Sequence, residues 1–222
     1  MKKSITLSLI FLLAGVCNLL TAQNEVKINS NFVVQSDGTP RLDGPATVWD
    51  DVKFDALSLK QSGSGISVNT TEGTVDYTTG ADVSDFLIVS PQFPHAMKAG
   101  STVYPHIHWT QVQGNVPNFA IQYRWQINGT TKTTAWTALK CNTAVFTYVS
   151  GTLNQICSTA SGITPPAGYG ISDILQMRII RDTKNELSLS YAADPYTATV
   201  GVLSVDVHCE LDSFGSATQF AK

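Results

Sequence analysis

Two histidines separated by one residue, His106-Ile107-His108, carry the strongest hint of chemistry in the chain. On a β-strand, positions i and i+2 share a face and stand about 6.6 Å apart along the backbone, a spacing from which two imidazoles can reach one metal ion. Closure by His95 or His208 would complete a three-histidine site. The bland alternative is a pair of polar rings on a wet face. The acids offer less: Asp50-Asp51 after Trp49 reads as a turn or helix cap sooner than as a catalytic carboxylate pair. Asp206, His208, Glu210 and Asp212 alternate along one strand as a solvated row that could bind a cation. There is no Gly-x-Ser-x-Gly elbow, phosphate loop or Cys-x-x-Cys, so nothing calls for a cofactor.

Aromatic side chains are the other candidates, because sandwiches that hold sugars stack them on exposed rings. Trp109 and Trp125 alternate with polar neighbours on apolar faces and belong to the core. Trp49, Tyr104, Trp136, Tyr169 and Tyr196 fall near turns or on polar faces, and Tyr104, Trp136 and Tyr196 are the ligand-binding candidates.

The elements that must position these groups follow from a period of two. In Phe119 to Ile127 every odd position is large and apolar, and Gln122, Arg124 and Gln126 point the other way. Asn128-Gly129 then favours a tight hairpin turn, with a Thr-rich return strand expected through Trp136. The stretch Val103 to Val112 puts Val103, Ile107 and Trp109 on one face and Tyr104, His106, His108 and Thr110 on the other. Val202 to Asp212 turns Leu203, Val205, Val207, Cys209 and Leu211 inward. Leu187, Leu189 and Tyr191 predict a strand paired, across the Asp182-Thr183-Lys184-Asn185 turn, with Ile174 to Arg181. Phe86 to Val89 and Val145 to Val149 read as short buried strands, and Ser172 to Leu175 as a helical turn. Gly- and Pro-rich loops separate these runs. Together they predict an all-β fold, a two-sheet β-sandwich that is jelly-roll-like, over residues 46–222, preceded by an N-terminal arm at 23–45.

Residues 1–22 read as a secretory signal peptide, with Met1-Lys2-Lys3 ahead of an apolar run and cleavage expected after Ala22. Val16 before Cys17 is unsuited to lipid attachment. Cleavage removes Lys2 and Lys3 from the 14 basic residues, so 12 face 17 acidic ones and the formal charge moves from −3 to −5. That balance, with no basic stripe, argues against nucleic acid as a partner. No further apolar run is long enough to span a membrane, so the mature protein is expected in the periplasm or outside the cell. Cys141, Cys157 and Cys209 remain. A Cys141–Cys157 bridge would close a short loop and contribute about 3 kcal/mol, and Cys209, on an apolar strand face, reads as a buried inert thiol.

Three segments resemble, as a set, a family of tailed-bacteriophage virion structural proteins with a jelly-roll-like fold. They are Phe93-Pro94-His95-Ala96-Met97-Lys98-Ala99-Gly100-Ser101 leading into Tyr104-Pro105-His106-Ile107-His108-Trp109; Ile171 to Arg178 with Arg181-Asp182; and Val205 to Ser216. Phe146 to Leu153 and Trp49-Asp50-Asp51 are similar too. The resemblance implies a non-catalytic structural or surface-recognition module that associates with itself or with other structural proteins, virion-associated if phage-encoded. Gly100, five residues, then His106-Ile107-His108 also resembles the opening of the first cupin motif, though the glutamate expected three or four residues later is replaced around Val112-Gln113. That implies an alternative, a metal-dependent enzyme using His106 and His108. A secreted carbohydrate-binding module that meets surface glycans is the other.

Overall fold

In a computed structural model, which describes residues 25–112, 115–142, 153–159, 161–170 and 172–215, the alternating runs become strands. In chain order they are β1 (Val26–Asn29), β2 (Phe32–Val34), β3 (Pro40–Leu42), β4 (Val48–Asp55), β5 (Lys60–Ser62), β6 (Ile66–Asn69) and β7 (Thr74–Tyr77). There follow β8 (Phe86–Val89), β9 (Tyr104–Gln111), β10 (Phe119–Gln126), β11 (Thr137–Asn142), β12 (Leu153–Thr159), β13 (Ile174–Arg181) and β14 (Val200–Leu211). The helical elements among the described residues are two single turns of 3-10 helix, Gly44–Ala46 and Ala56–Ser58. None of the described helices is long and apolar enough to cross a membrane.

One sheet runs β5-β8-β13-β10-β11 and the other β11-β12-β9-β14-β7-β6, with every pairing antiparallel. Strand β11 belongs to both: Thr137 to Lys140 pair with β10, and Cys141 and Asn142 pair with β12. The chain therefore turns a corner there, and the two layers close on one core as a jelly-roll-like β-sandwich. Strands β7 and β4 share one edge of β14, β7 along Val200 to Val202 and β4 along Ser204 to Leu211.

The core is built from the inward residues of both sheets. Ile121 and Trp125 on β10 and Leu175, Met177 and Ile179 on β13 face Ile107 and Trp109 on β9 and Val205, Val207 and Cys209 on β14. Each large apolar side chain buried this way contributes about 1.5–3 kcal/mol. Tyr77, fully buried, donates its hydroxyl to the carbonyl of Ile179 at 2.7 Å and so ties the two layers together.

The alternation of β14 slips once. Val202 pairs with Trp109 and Ser204 with His108, so Leu203 is an extra residue in a bulge. Val200 and Val202 are thereby inward as well as Val205, and Leu203, expected inside, is only half-buried. Other expectations are corrected. The return strand starts at Thr137, beyond Trp136. Leu187, Leu189 and Tyr191 form no strand: Asn185, Ser188 and Ser190 take positive φ, and the Asp182 carboxylate accepts from the backbone N–H of Glu186 and Leu187 and the Tyr191 hydroxyl. Residues 172–175 are not helical, because β13 begins at Ile174 and Asp173 caps the loop by accepting from Gly170 N and Asn128 N. Asp50 and Asp51 lie within β4 and not in a turn. The segment expected as an arm carries the small sheet β1-β2-β3, tied to the sandwich by Leu42 N donating to the Asp212 carbonyl. The expected strand Val145 to Val149 and the signal peptide lie outside the described residues.

Candidate functional site

Cross-strand pairing brings the polar residues of three strands onto the outer face of the second sheet. His108 stands opposite Ser204, His106 opposite Asp206 and Tyr104 opposite His208, while β4 sets Asp51 beside His208 and Lys53 beside Asp206. His108 Nε2 donates to Asp206 Oδ2 at 2.9 Å, and His208 Nε2 lies 2.7 Å from Asp51 Oδ1. The rings of His106 and His208 stack with centroids 3.9 Å apart. Burial, reinforced by the neighbouring His208, holds the His106 pKa below its ordinary value against the pull of Asp206. For Asp206 burial works upward, but the hydrogen bond and charge of His108, the Ser204 hydroxyl and Lys53 outweigh it and leave the carboxyl below its usual range.

Of the four histidines expected as metal ligands, His106, His108 and His208 share this face and His95 does not. His108 and His208 each turn Nε2 to a different carboxylate, His106 stacks on His208, and His95 lies in a separate turn closed by Met97 N and the Pro94 carbonyl. Among the described residues no group of three or more His, Cys, Asp or Glu is placed to hold a metal ion.

Further along the same face lies an open cleft of about 500 Å³ lined by Asn69, Glu72, Thr74, Asp76, Thr110, Gln111, Val112, Ala198, Thr199 and Gly201. Its floor is Gly201, opposite Thr110 on one side and Asp76 on the other. A Cβ at that position would stand 2.9 Å from Asp76 Oδ1, 2.9 Å from Thr74 Oγ1 and 3.0 Å from Thr110 Oγ1. Glycine leaves room for those three side-chain oxygens to converge. Asp76 is held in place, accepting from Thr74 Oγ1 at 2.6 Å and Asn69 Nδ2 at 2.9 Å. At the cleft rim Gln111 is fixed between the Trp109 indole N–H, which it accepts, and the Asn115 carbonyl, to which it donates. Sequence reasoning missed this site. Its lining comes from four strands and the loops beside them, and the one signal was a glycine abutting the strand pattern of Val202.

The aromatic candidates separate. Tyr196 is only 2% exposed, its hydroxyl accepting from Val112 N and its ring beneath the Arg181 guanidinium, so it is a structural residue and cannot meet a ligand. Tyr104 is half-buried edge-on to Trp49, which is 56% exposed. Trp136 lies on the first sheet, with the guanidinium carbons of Arg124 and Arg178 each 4.2 Å from its ring centroid. Cys141 is disulfide-bonded. The side chain of its expected partner, Cys157, lies outside the described residues.

The sequence matches no protein-family model and no curated protein. Among solved structures it is similar to a carbohydrate-binding module, CBM36, in complex with calcium and xylotriose, at 14% identity and a TM-score of 0.40 over 70% of this chain and 98% of that one. It is also similar to the CBM36-1 domain of a multidomain xylanase from the hindgut metagenome of Trinervitermes trinervoides, at 12% identity and a TM-score of 0.36 over 77% and 100% of the two chains. A mannan-recognising module, TmCBM27, aligns at 10% identity and a TM-score of 0.35 over 73% of this chain and 98% of the other. At these scores the likenesses say nothing of a ligand for this chain.

Proposed function

We propose that this chain is a non-catalytic β-sandwich module that binds carbohydrate, and that the cleft over Gly201 receives the sugar. The observation that carries the reading is the convergence of the Thr74, Asp76 and Thr110 oxygens above a glycine. A saccharide hydroxyl both donates and accepts, so it is best met by fixed groups of both kinds. The cleft offers threonine hydroxyls, the amide of Asn69 and the carboxylates of Glu72 and Asp76, with Val112 and Ala198 as apolar contacts for sugar C–H groups. Both Asp76 oxygens are already engaged by neighbours, which suits an acceptor that orients a ligand better than a group that shuttles protons. On this reading the export signal expected at residues 1–22 delivers the module to glycans outside the cytoplasm.

The test is affinity electrophoresis of the full chain through gels carrying neutral polysaccharides, xylans and mannans among them, followed by titration calorimetry on the best one. Asp76→Asn and Thr110→Val should each weaken binding at least tenfold while the melting temperature stays within a few degrees. Unretarded migration on every neutral glycan, or undiminished affinity in Asp76→Asn, overturns the assignment.

A further inference from the structure

The two outer faces of the sandwich differ in charge. Strands β5, β8, β13, β10 and β11 contain Lys60, Arg124, Arg178, Arg181 and Lys140 and not one Asp or Glu. Arg181 points into the core. The other four share the outer face: Lys60, Ile88, Arg178, Gln122 and Ala138 form one cross-strand row, Ser62, Phe86, Ile180, Ala120 and Lys140 the next, and Arg124 stands opposite Gln176. The acids at the ends of these strands do not neutralise the patch. Asp85, Asp173 and Asp182 are at most 4% exposed and turn their carboxylates to backbone N–H groups. In a chain with more acids than bases, an uncompensated basic face is the exception that needs a reason.

At its centre the side chains are already arranged. Arg178 lies between two rings, 4.3 Å from the Phe86 centroid and 4.2 Å from that of Trp136, and Arg124 is 4.2 Å from the same indole. Arg124 donates Nε to Gln176 Oε1 at 2.9 Å and Nη1 to the Thr134 carbonyl at 3.2 Å, which fixes its plane. Arg178 reaches Gln122 Oε1 only at 3.5 Å, and its buried Nε has no hydrogen-bond partner. Neither guanidinium meets a carboxylate among the described residues. Two like charges are thus held close on one aromatic platform with donors to spare. That is the arrangement an anion would complete, since a carboxylate or sulfate accepts two N–H bonds from a guanidinium fork.

We propose that the outer face of the first sheet binds an acidic saccharide, its carboxylate or sulfate taken by Arg124 and Arg178 beside Trp136 and its hydroxyls by the amide of Gln122. This site is separate from the cleft over Gly201 and does not depend on it. A nucleic acid is the poorer occupant: four cations on a net acidic protein give few phosphate contacts, and the opposite face carries Asp51, Asp76 and Asp206.

The full chain is titrated calorimetrically at low salt with polygalacturonate, with its methyl-esterified form, with dextran sulfate, with unsulfated dextran and with single-stranded DNA of matched charge. At least one acidic polysaccharide should bind, its uncharged counterpart should bind tenfold or more weakly, and added salt should weaken the complex. Polygalacturonate and dextran sulfate separate a carboxylate ligand from a sulfated one. Arg124→Gln, Arg178→Gln and the exposed Lys60→Gln should each reduce affinity, the arginines by tenfold or more, while Lys27→Gln on the exposed strand β1 leaves it unchanged. If Arg178→Gln unfolds, Arg124→Gln and Lys60→Gln decide. No binding of either polyanion, equal or tighter binding of DNA, or full affinity in Arg124→Gln overturns the proposal.

Discussion

The imidazole rings of His106 and His208 lie 3.9 Å apart, and His106, only 8% exposed, keeps a buried Nδ1 without a hydrogen-bond partner. A proton on His106 would place a poorly solvated cation against its neighbour. The unfolded chain takes that proton near pH 6.5, whereas the folded chain takes it only lower down. The native state is therefore not penalised above about pH 6.5 and loses stability as pH falls through the folded value. Asp206 acts later, since a depressed carboxyl gives up its contribution only below its ordinary 3.8. Melting temperatures taken between pH 7.5 and 5 should fall, and His106→Gln should flatten that slope. An equal slope in the variant would assign the effect to other groups.

Gly201→Ala should be felt although its backbone needs no glycine φ. The new methyl stands 2.9 Å from Asp76 Oδ1 and Thr74 Oγ1, and both of those atoms are already tied to each other. Overpacking of this kind costs about 1–3 kcal/mol. Urea unfolding measures the cost, and glycan affinity should drop in the same variant. Unaltered stability would mean that the Thr74–Asp76 pair swings aside.

How far the sequence could be read depended on whether one strand carried the information. For β9 and β10 the alternation is local, and the inward sets Ile107 and Trp109, and Ile121 and Trp125, are those the period of two selects. It fails at Leu203, because a bulge inserts a residue without leaving a composition signal. It fails at residues 187–191 because Asp182 organises the backbone through its carboxylate, a tertiary effect that overrides an apolar repeat. Tyr196 follows Asp194-Pro195 and looked exposed, yet Arg181, 15 residues earlier in the sequence, draws it inside. The cleft was illegible for a related reason. Asn69, Asp76, Thr110 and Gly201 come from β6, β7, β9 and β14, and only the sheet order brings them together.

Cys209 should resist thiol reagents in the native protein. It is fully buried and free, and burial, with the charges of Asp50 and Asp51, pushes its pKa up to about 11. Little thiolate exists at neutral pH, and none of it faces solvent. Iodoacetamide labelling followed by peptide mass spectrometry should find Cys209 modified only after denaturation. In the same non-reduced map Cys141 should be recovered in a disulfide, with Cys157 the expected partner. Rapid native labelling of Cys209 would contradict its place in the core.

Arg181 is the residue whose loss should cost the fold most for its size. Its side chain is wholly buried, and Nε donates to Asp194 Oδ2 at 2.7 Å, the Asp194 side chain being only 1% exposed. The remaining nitrogens serve the backbone: Nη1 donates to the carbonyls of Tyr77, Thr78 and Ala198, and Nη2 to that of Tyr196. One guanidinium thus joins the end of β7, the loop at 194–198 and β13, at the end of the sandwich nearest the cleft residues Ala198 and Thr199. Arg181→Met removes the charge and leaves Asp194 Oδ2 and several carbonyls buried without the guanidinium donors, a change that costs about 3–5 kcal/mol. Arg181→Lys keeps the charge but cannot fork to five acceptors, so it should recover only part of the loss. Denaturant unfolding of both variants, with Asp194→Asn completing the series, measures this. If Arg181→Met unfolds no more easily than the parent, the buried guanidinium is not what holds that end of the sandwich.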